Sequence, residues 1–409
     1  MFRDLALLLV GAGRAEEGLE AAEAGRARAF ADLLAQRRRP RSDPRGPAAL
    51  PTAGSTTVAD VRATAKRLQA TLVEYLVTEG RLLAWVVDPR GALHVASSDV
   101  TRERLDSLTK SVRAGIDTVD PAARRRTSAL RGVLRELDRL LIGPVVPWLP
   151  ASPEAPLIVI PHGPLALVPF AALEDETGRP LVERYTLSFA PAASVYQHTQ
   201  GTVRAGERAA PRLLVVADPT PPAESAVARL PWAREEGQRI VRRFHGMPVR
   251  LLTGSAASEA AVKREASAYS RLHFAAHGLV APDRPLASSL LLAAGEGEDG
   301  YLRVDEIFDL DLAADLVVLS GCSTGLGRLT GDGILGFTRA FIYAGAPTVV
   351  VSQWDVSDRT TAFLMDSFYG SLRAGQAKAA ALRAAQLATR SRFPHPAMWA
   401  AFTVVGEPR

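Results

Sequence analysis

Two residues that can do covalent chemistry together, a histidine and a cysteine, each follow a short apolar stretch in this 409-residue sequence. His277 follows Arg-Leu-His-Phe-Ala-Ala, and Cys322, the only cysteine, follows Leu-Val-Val-Leu-Ser-Gly. A thiolate is a nucleophile, and a nearby imidazole can accept the thiol proton and later protonate a leaving amine. The pair predicts a Cys/His dyad. The competing interpretation is a buried core cysteine and a hydrogen-bonded histidine.

Glycines accompany both residues. Gly278 and Gly321 let the backbone come close to a substrate carbonyl, because glycine has no side chain. Backbone N–H groups at Gly278 and Cys322 are then candidate donors to an oxyanion.

The elements that must position this pair alternate between strands and helices. Apolar runs typical of buried strands cover residues 157–160, 213–216, 271–275, 316–320 and 348–353. Helical patterns lie between them, at residues 233–243, 258–266, 334–343, 360–372 and 376–388. This alternation predicts an α/β fold with a largely parallel sheet covered on both faces. Sites in such sheets lie at the carboxyl ends of the strands, where His277 and Cys322 stand.

The first 150 residues carry no comparable chemistry. Residues 1–36 predict two helices split near residues 11–13, and residues 37–55 predict an exposed linker rich in Pro and Arg. Within 56–150 we expect further helices and short strands. The predicted helices cover 58–69, 102–119 and 121–141, and the strands cover 71–77, 82–87 and 92–95.

Composition excludes several classes of function. Lys and Arg number 49 against 44 Asp and Glu, so the net charge of +5 and the absence of a basic stripe argue against nucleic-acid binding. The sequence contains no run of about 18 apolar residues, so no membrane span is expected. One cysteine excludes a multi-cysteine metal site and favours a reducing, cytoplasmic setting. The apolar start, interrupted by Asp4, is interpreted as a helix rather than a removed leader.

Two other motifs compete nearby. Residues 321–325 match the G-x-S-x-G of a serine esterase, with Ser323, Asp355 and His395 in the required order, but no helix pattern follows the serine directly. Residues 331–336 match the G-x-G-x-x-G of a dinucleotide site. They begin 11 residues beyond Ser320, however, and that motif must follow its strand at once.

The ordered motifs of the second half closely resemble the CHAT domain, a caspase-like and separase-like family of cysteine peptidases often found after tetratricopeptide repeats. The matching positions are residues 158–165, 167–173, 273–278, 288–292, 306–307, 314–325, 336–346, Trp354, Asp358 and residues 397–402. The resemblance covers residues 151–409 as the peptidase domain. It is weaker over 56–150, which becomes the N-terminal α/β part of a caspase-like region.

The resemblance implies a role for each catalytic position. It implies that Cys322 is the nucleophile, that His277 is the general base and acid, and that Gly278 and Cys322 are oxyanion donors. No metal or organic cofactor is implied. Residues 1–36 would be a remnant of a repeat array. His162 stands where the family usually has Asp, and we interpret it as a turn residue.

Substrate preference rests on the segment that follows residues 348–353, which lines the substrate pocket in caspase-like folds. Asp355 and Asp358 are candidate substrate-binding carboxylates, which predicts cleavage after a basic residue. For Asp358 a helix-capping role is the competing interpretation. Arg359 would instead select an acidic residue.

The sequence thus predicts a cysteine endopeptidase that acts on a specific protein through a thioester on Cys322, with an activating protein partner as a candidate regulator. The alternative is a non-catalytic scaffold that uses the same fold for protein contacts.

Overall fold

A computed structural model describes residues 1–35, 56–117, 124–197, 199, 211–281, 283–321, 328–330, 333–354 and 358–409. The predicted linker 37–55 lies outside these residues.

The helices lie mainly where the sequence predicts them. They are α1 (Phe2–Gly11), α2 (Ala15–Ala35), α3 (Val58–Leu68), α4 (Arg102–Asp117), α5 (Arg124–Leu141), α6 (Leu181–Arg184), α7 (Pro231–Arg243), α8 (Glu259–Glu265), α9 (Val304–Ile307), α10 (Phe337–Tyr343), α11 (Asp358–Arg373), α12 (Lys378–Arg392) and α13 (Pro396–Trp399). Among the described helices, none is both long enough and apolar enough to cross a bilayer.

The strands are β1 (Thr71–Val77), β2 (Leu82–Val87), β3 (Leu93–Ser98), β4 (Pro156–Ile160), β5 (Thr186–Phe189), β6 (Leu213–Pro219), β7 (Val249–Gly254), β8 (Arg271–Ala275), β9 (Gly278–Leu279), β10 (Ser289–Leu291), β11 (Tyr301–Arg303), β12 (Leu316–Leu319), β13 (Arg328–Thr330), β14 (Gly333–Leu335), β15 (Thr348–Ser352) and β16 (Phe402–Gly406). The sequence analysis did not predict β5, β7, β9, β10, β11, β13, β14 or β16. These strands are short or carry polar residues, so their apolar pattern is weak.

One mixed sheet of the described chain holds eleven strands in the order β3-β2-β1-β4-β5-β16-β15-β12-β8-β6-β7. Most neighbours pair in parallel, which confirms the predicted mostly parallel α/β architecture. Strand β16 is antiparallel to β15 and parallel to β5. Strands β1, β4 and β5 therefore run opposite to β12, β8 and β6. The sheet has two halves that meet between β16 and β15, and apart from β2 the strands of the first half run opposite to those of the second.

The alternation of side chains along β1 explains why this region forms a strand covered on both faces. Val73, Tyr75 and Val77 belong to the core cluster that includes α4 and α5. Leu72 and Leu76 belong to a second cluster formed with α1, α2 and α3. A strand whose two faces are both covered reads as a nearly continuous apolar run, as β1 does.

Helix α2 is joined to the sheet by a buried arginine. Arg26 is 1% exposed, and its Nε lies 3.1 Å from Oε1 of Glu74, which is on the α2-facing side of β1. The same guanidinium donates to the carbonyl oxygens of Tyr75 at 2.6 Å and Pro161 at 3.0 Å. Burial, and then the neighbouring Glu23 carboxylate, hold the pKa of Glu74 well above its ordinary value. Because a buried guanidinium needs such partners, α2 is fixed against the ends of β1 and β4.

His162 has a structural environment, consistent with its interpretation as a turn residue. It precedes the short 3-10 turn Gly163–Leu167, is 1% exposed, and accepts the Val77 N–H on Nδ1 at 3.1 Å. Burial, followed by nearby arginines headed by Arg26, lowers the pKa of His162 to about 2. The folded protein therefore holds this ring neutral.

Replacing His162 with Asn should make the fold less sensitive to acid. The unfolded ring binds a proton near pH 6.5 and the folded ring near pH 2, so wild type loses stability as the pH falls through this window. Asn can still accept the Val77 N–H and does not titrate. We expect the free energy of unfolding, measured in urea at about pH 7 and about pH 4.5, to fall less in His162→Asn than in wild type. Equal pH dependence in both proteins, with exposed His245→Asn as the control, would contradict this account.

Candidate active site

The candidate site is built on two neighbouring parallel strands, β8 and β12. Their register pairs Leu319 with Phe274, and the Ser320 N–H extends the ladder by donating to the Phe274 carbonyl at 2.8 Å. Along the chain, His277 comes three positions after Phe274, and Cys322 comes three positions after Leu319. The positions three residues before His277 and Cys322 in the sequence are thus paired on adjacent parallel strands.

Several predicted site residues lie outside the described residues. These are Cys322, Ser323 and Asp355. The backbone of Asp358 begins helix α11, so the helix starts one or two residues earlier than predicted. The structure describes His277, Gly278 and Gly321 and the groups around them.

His277 is held on both its ring and its backbone. Its Nε2 lies 2.8 Å from the carbonyl oxygen of Ala228, and its own carbonyl accepts the Leu291 N–H at 2.8 Å. A carbonyl oxygen only accepts, so this contact puts the proton of the neutral ring on Nε2. Within the described part of the chain Nδ1 makes no hydrogen bond, and its lone pair is available to a thiol proton. Gly278 follows in β9 and pairs with Leu290 of β10.

The residue before Cys322 is fixed from the neighbouring strand β15. Ser352 donates its hydroxyl to the Gly321 carbonyl at 2.5 Å, and both residues are buried. This contact joins the end of β15 to the end of β12 directly beside the cysteine position. The sequence analysis missed Ser352, because a serine inside an apolar strand carries no signal for its partner.

The segment after β15 is held by helix α4 and by the turn that follows β4. Gln353 donates from Nε2 to the Ala166 carbonyl at 3.3 Å, and its own carbonyl accepts from Arg113 of α4 at 2.8 Å. The Arg113 guanidinium also lies 5.6 Å from the ring centre of Trp354. These contacts fix the chain just before Asp355. They join residues 187 and 240 positions apart, which no local pattern could reveal.

The CHAT domain sequence profile matches residues 131–407, well over half of the chain. The chain belongs to the CHAT domain family. The same ordered motifs, from the turn after β4 to β16, lie within the match.

Curated relatives of this CHAT chain include mouse and human tetratricopeptide repeat protein 28. Each is 28% identical, in an alignment 382 or 378 positions long that covers 78% of this chain. The chain spans only 15% of the length of either relative.

Solved structures extend the similarity to the fold. Two crystal structures of the Saccharomyces cerevisiae separase–securin complex align with TM-scores of 0.56 and 0.54 over 86% of this chain, at 10% and 11% identity. The match covers 31% of the separase-complex chain. At this identity the likeness concerns architecture alone, and it supports the caspase-like sheet.

The other histidines of interest in this CHAT chain have structural partners. His273 is fully buried on β8, with Nδ1 3.0 Å from the Tyr369 hydroxyl and Nε2 2.9 Å from Oε1 of Glu236. It ties β8 to helices α11 and α7. His395 accepts the Ala397 N–H on Nδ1 at 3.2 Å and caps α13. Its role as a helix cap weakens the serine-esterase interpretation.

A cluster of carboxylates in this CHAT chain already holds a cation of its own. Oxygens of Glu259, Glu298 and Glu306 lie within 4.8 Å of one another. Lys263 Nζ lies 2.7, 2.8 and 2.9 Å from these three residues. Burial alone would lower the pKa of Lys263, but hydrogen bonds to the three carboxylates raise it above its ordinary value. The ammonium stands where a metal would bind, and we assign no metal to these residues.

Substituting Arg113 with Met should loosen the segment that precedes Asp355. The variant loses a charged hydrogen bond and a cation–π contact, so we expect the free energy of unfolding to fall by about 1–3 kcal/mol. Urea denaturation measures the change. Lys110→Met, on the exposed side of the same helix, is the matched control and should stay near wild type. Equal free energies of unfolding in the two variants would show that the Arg113 contacts do not stabilise the fold.

Proposed function

We propose that this CHAT chain is a cysteine endopeptidase that uses Cys322 as nucleophile and His277 as general base and acid. The observation that carries the proposal is the register of β8 and β12, which makes His277 and Cys322 follow paired positions on neighbouring parallel strands. The hydrogen bond from His277 Nε2 to the Ala228 carbonyl supports it, because it leaves Nδ1 as the basic nitrogen.

The proposed reaction has two halves. In the first, His277 Nδ1 takes the thiol proton, the Cys322 sulfur attacks the scissile carbonyl carbon, and the imidazolium protonates the departing amine as the C–N bond breaks. A thioester remains on Cys322. In the second, His277 removes a proton from water, the hydroxyl attacks the thioester, and the C–S bond breaks. The proton returns to the sulfur, and the product leaves as a carboxylic acid.

Backbone donors complete the proposed site. The N–H groups of Gly278 and Cys322 would stabilise the oxyanion that forms in both halves. The hydrogen bond from Ser352 to Gly321 supports this role, because it fixes the peptide unit that leads into Cys322. Preorganised donors are effective only when their backbone does not have to move during the reaction.

For the substrate we propose a protein cleaved after a basic residue, with Asp355 and Asp358 as the carboxylates that select it. Arg359, exposed on the first turn of α11, would instead favour an acidic residue. Because a specific peptidase must be kept inactive until it is needed, we propose that a protein partner activates it. A single cysteine favours a reducing compartment, and we propose the cytoplasm.

The rival function is a scaffold that binds proteins without turnover. The name of the curated relatives, tetratricopeptide repeat protein 28, favours a role in protein interaction. The predicted repeat-like helices of residues 1–36 form a hairpin, α1 and α2, that rests on the sheet. Such a scaffold would retain the fold and need no pairing between His277 and Cys322.

A cleavage profile on a diverse peptide library separates the two functions. We expect wild type to cleave, and Cys322→Ala and His277→Ala to lose cleavage by at least about a hundredfold. The residue that precedes the cleaved bond shows which side chain selects the substrate. A preference for basic residues that is lost in Asp355→Asn would assign selection to the Asp355 carboxylate. A preference for acidic residues that is lost in Arg359→Gln would assign it to Arg359.

Cleavage that persists in Cys322→Ala would contradict the proposal outright. If none of the proteins cleaves, an electrophilic peptide probe that labels Cys322 only when His277 is present would indicate an enzyme awaiting its activator. Labelling at the same slow rate in His277→Ala would favour the scaffold.

A further inference from the structure

The end of β6 carries a buried acid in an unusual backbone conformation. Asp218 is 3% exposed and has φ of 48°, and the register with β7 shifts at this point, between Ala217 and Pro219. Left-handed backbone at a residue other than glycine costs energy, and bulges of this kind redirect a side chain. Strand β6 lies next to β8, so Asp218 stands at the same edge of the sheet as His277.

Asp218 holds the segment that begins helix α7. Arg229 binds it with both arms of its guanidinium, Nε to Oδ1 at 2.8 Å and Nη2 to Oδ2 at 2.6 Å. The Leu230 N–H donates to Oδ1 at 3.1 Å, and Arg234 Nε lies 3.1 Å from Oδ2. Burial opposes ionisation of this carboxyl, but hydrogen bonds led by that from Arg229 hold its pKa below the ordinary value. Asp218 is therefore an ionised clamp on residues 229, 230 and 234.

The clamp acts on the residue beside the histidine contact. Ala228, whose carbonyl accepts from His277 Nε2 at 2.8 Å, directly precedes Arg229. The Ala228 carbonyl lies on the same peptide unit as the Arg229 N–H, so the direction of this carbonyl depends on how the backbone of Arg229 is held. A two-armed guanidinium–carboxylate pair fixes orientation as well as distance.

We propose that Asp218 and Arg229 are positioning residues that aim the Ala228 carbonyl at His277 and so keep the ring proton on Nε2. This inference rests on the proposed peptidase function for its consequence, but the contact it describes is tested separately. If the carbonyl swings away, the neutral ring exchanges between its two tautomers, and the form with its proton on Nδ1 cannot accept a proton from a thiol on that nitrogen.

The Asp218–Arg229 pair and helix α7 together supply a matched set of variants. Arg229→Gln removes the two-armed pair, and Arg229→Lys keeps the positive charge without the fork. Asp218→Glu tests the other partner. Arg239→Gln is the control, because Arg239 lies within α7 in a half-exposed pair with Glu235 at 3.0 Å. Circular dichroism selects the variants that remain folded, and Arg229→Lys serves if Arg229→Gln does not.

The decisive readout is the tautomer of His277, from ¹⁵N chemical shifts of histidine-labelled protein at alkaline pH, where free imidazoles are neutral. The signal is assigned by its loss in His277→Ala. We expect the Nε2-protonated form in wild type and Arg239→Gln, and a mixture of tautomers in Arg229→Gln and Arg229→Lys. A loss of stability alone would not change the tautomer of the folded protein. An unchanged tautomer in folded Arg229→Gln or Arg229→Lys would overturn the proposal.

The alkylation rate of Cys322 then separates this inference from the proposed function. We expect the rate to fall roughly tenfold in Arg229→Gln and to stay at the wild-type value in Arg239→Gln. If the His277 tautomer changes in Arg229→Gln but the alkylation rate of Cys322 is the same in His277→Ala as in wild type, the clamp is supported and the peptidase is refuted. If the alkylation rate of Cys322 falls in His277→Ala but the His277 tautomer is unchanged in folded Arg229→Gln, only the clamp is refuted.

Discussion

The parallel pairing of β8 with β12 is the constraint on which the candidate site depends. Parallel strands bring their carboxyl ends to one edge, and the register decides which residues leave the sheet together. Here the ladder runs to the contact between Ser320 and Phe274. A shift of one residue would turn the side chains of β12 to the opposite face and unpair the positions that precede His277 and Cys322. The buried faces of both strands oppose such a shift, since β8 and β12 lie inside the main core.

The elements around this pair act as braces from three directions. Strand β15 fixes Gly321 through Ser352, and the bulged end of β6 fixes the segment that contacts His277. Helix α4, which packs on the first half of the sheet, holds Gln353 through Arg113. That first half carries no candidate catalytic residue, and its strands β1, β4 and β5 run opposite to β8 and β12. Its contribution to the site is mechanical: it supports the segment that leads toward Asp355.

Much of this arrangement could be predicted from the sequence, and the rest could not be predicted for physical reasons. Apolar runs predicted β1, β4, β6, β8, β12 and β15, because strands covered on both faces are apolar along their length. His277 was identified because an imidazole at a strand end is a chemical signal. The Ala228 carbonyl could not be identified from the sequence, because every residue has a backbone carbonyl group. Arg113 acts on a residue 240 positions away. The roles of His277, Gly278, Cys322, Asp355 and Asp358 remain predictions.

The pH dependence of Cys322 alkylation by iodoacetamide tests the central claim, the pairing of His277 with Cys322, most directly. The chain has one cysteine, so the signal has one source. A free thiol ionises near pH 8.5. The account predicts that folded wild type reacts at least about tenfold faster than His277→Ala at about pH 6.5, because the imidazole takes the thiol proton. Superimposable profiles for the two folded proteins, both rising with an ordinary thiol, would contradict it.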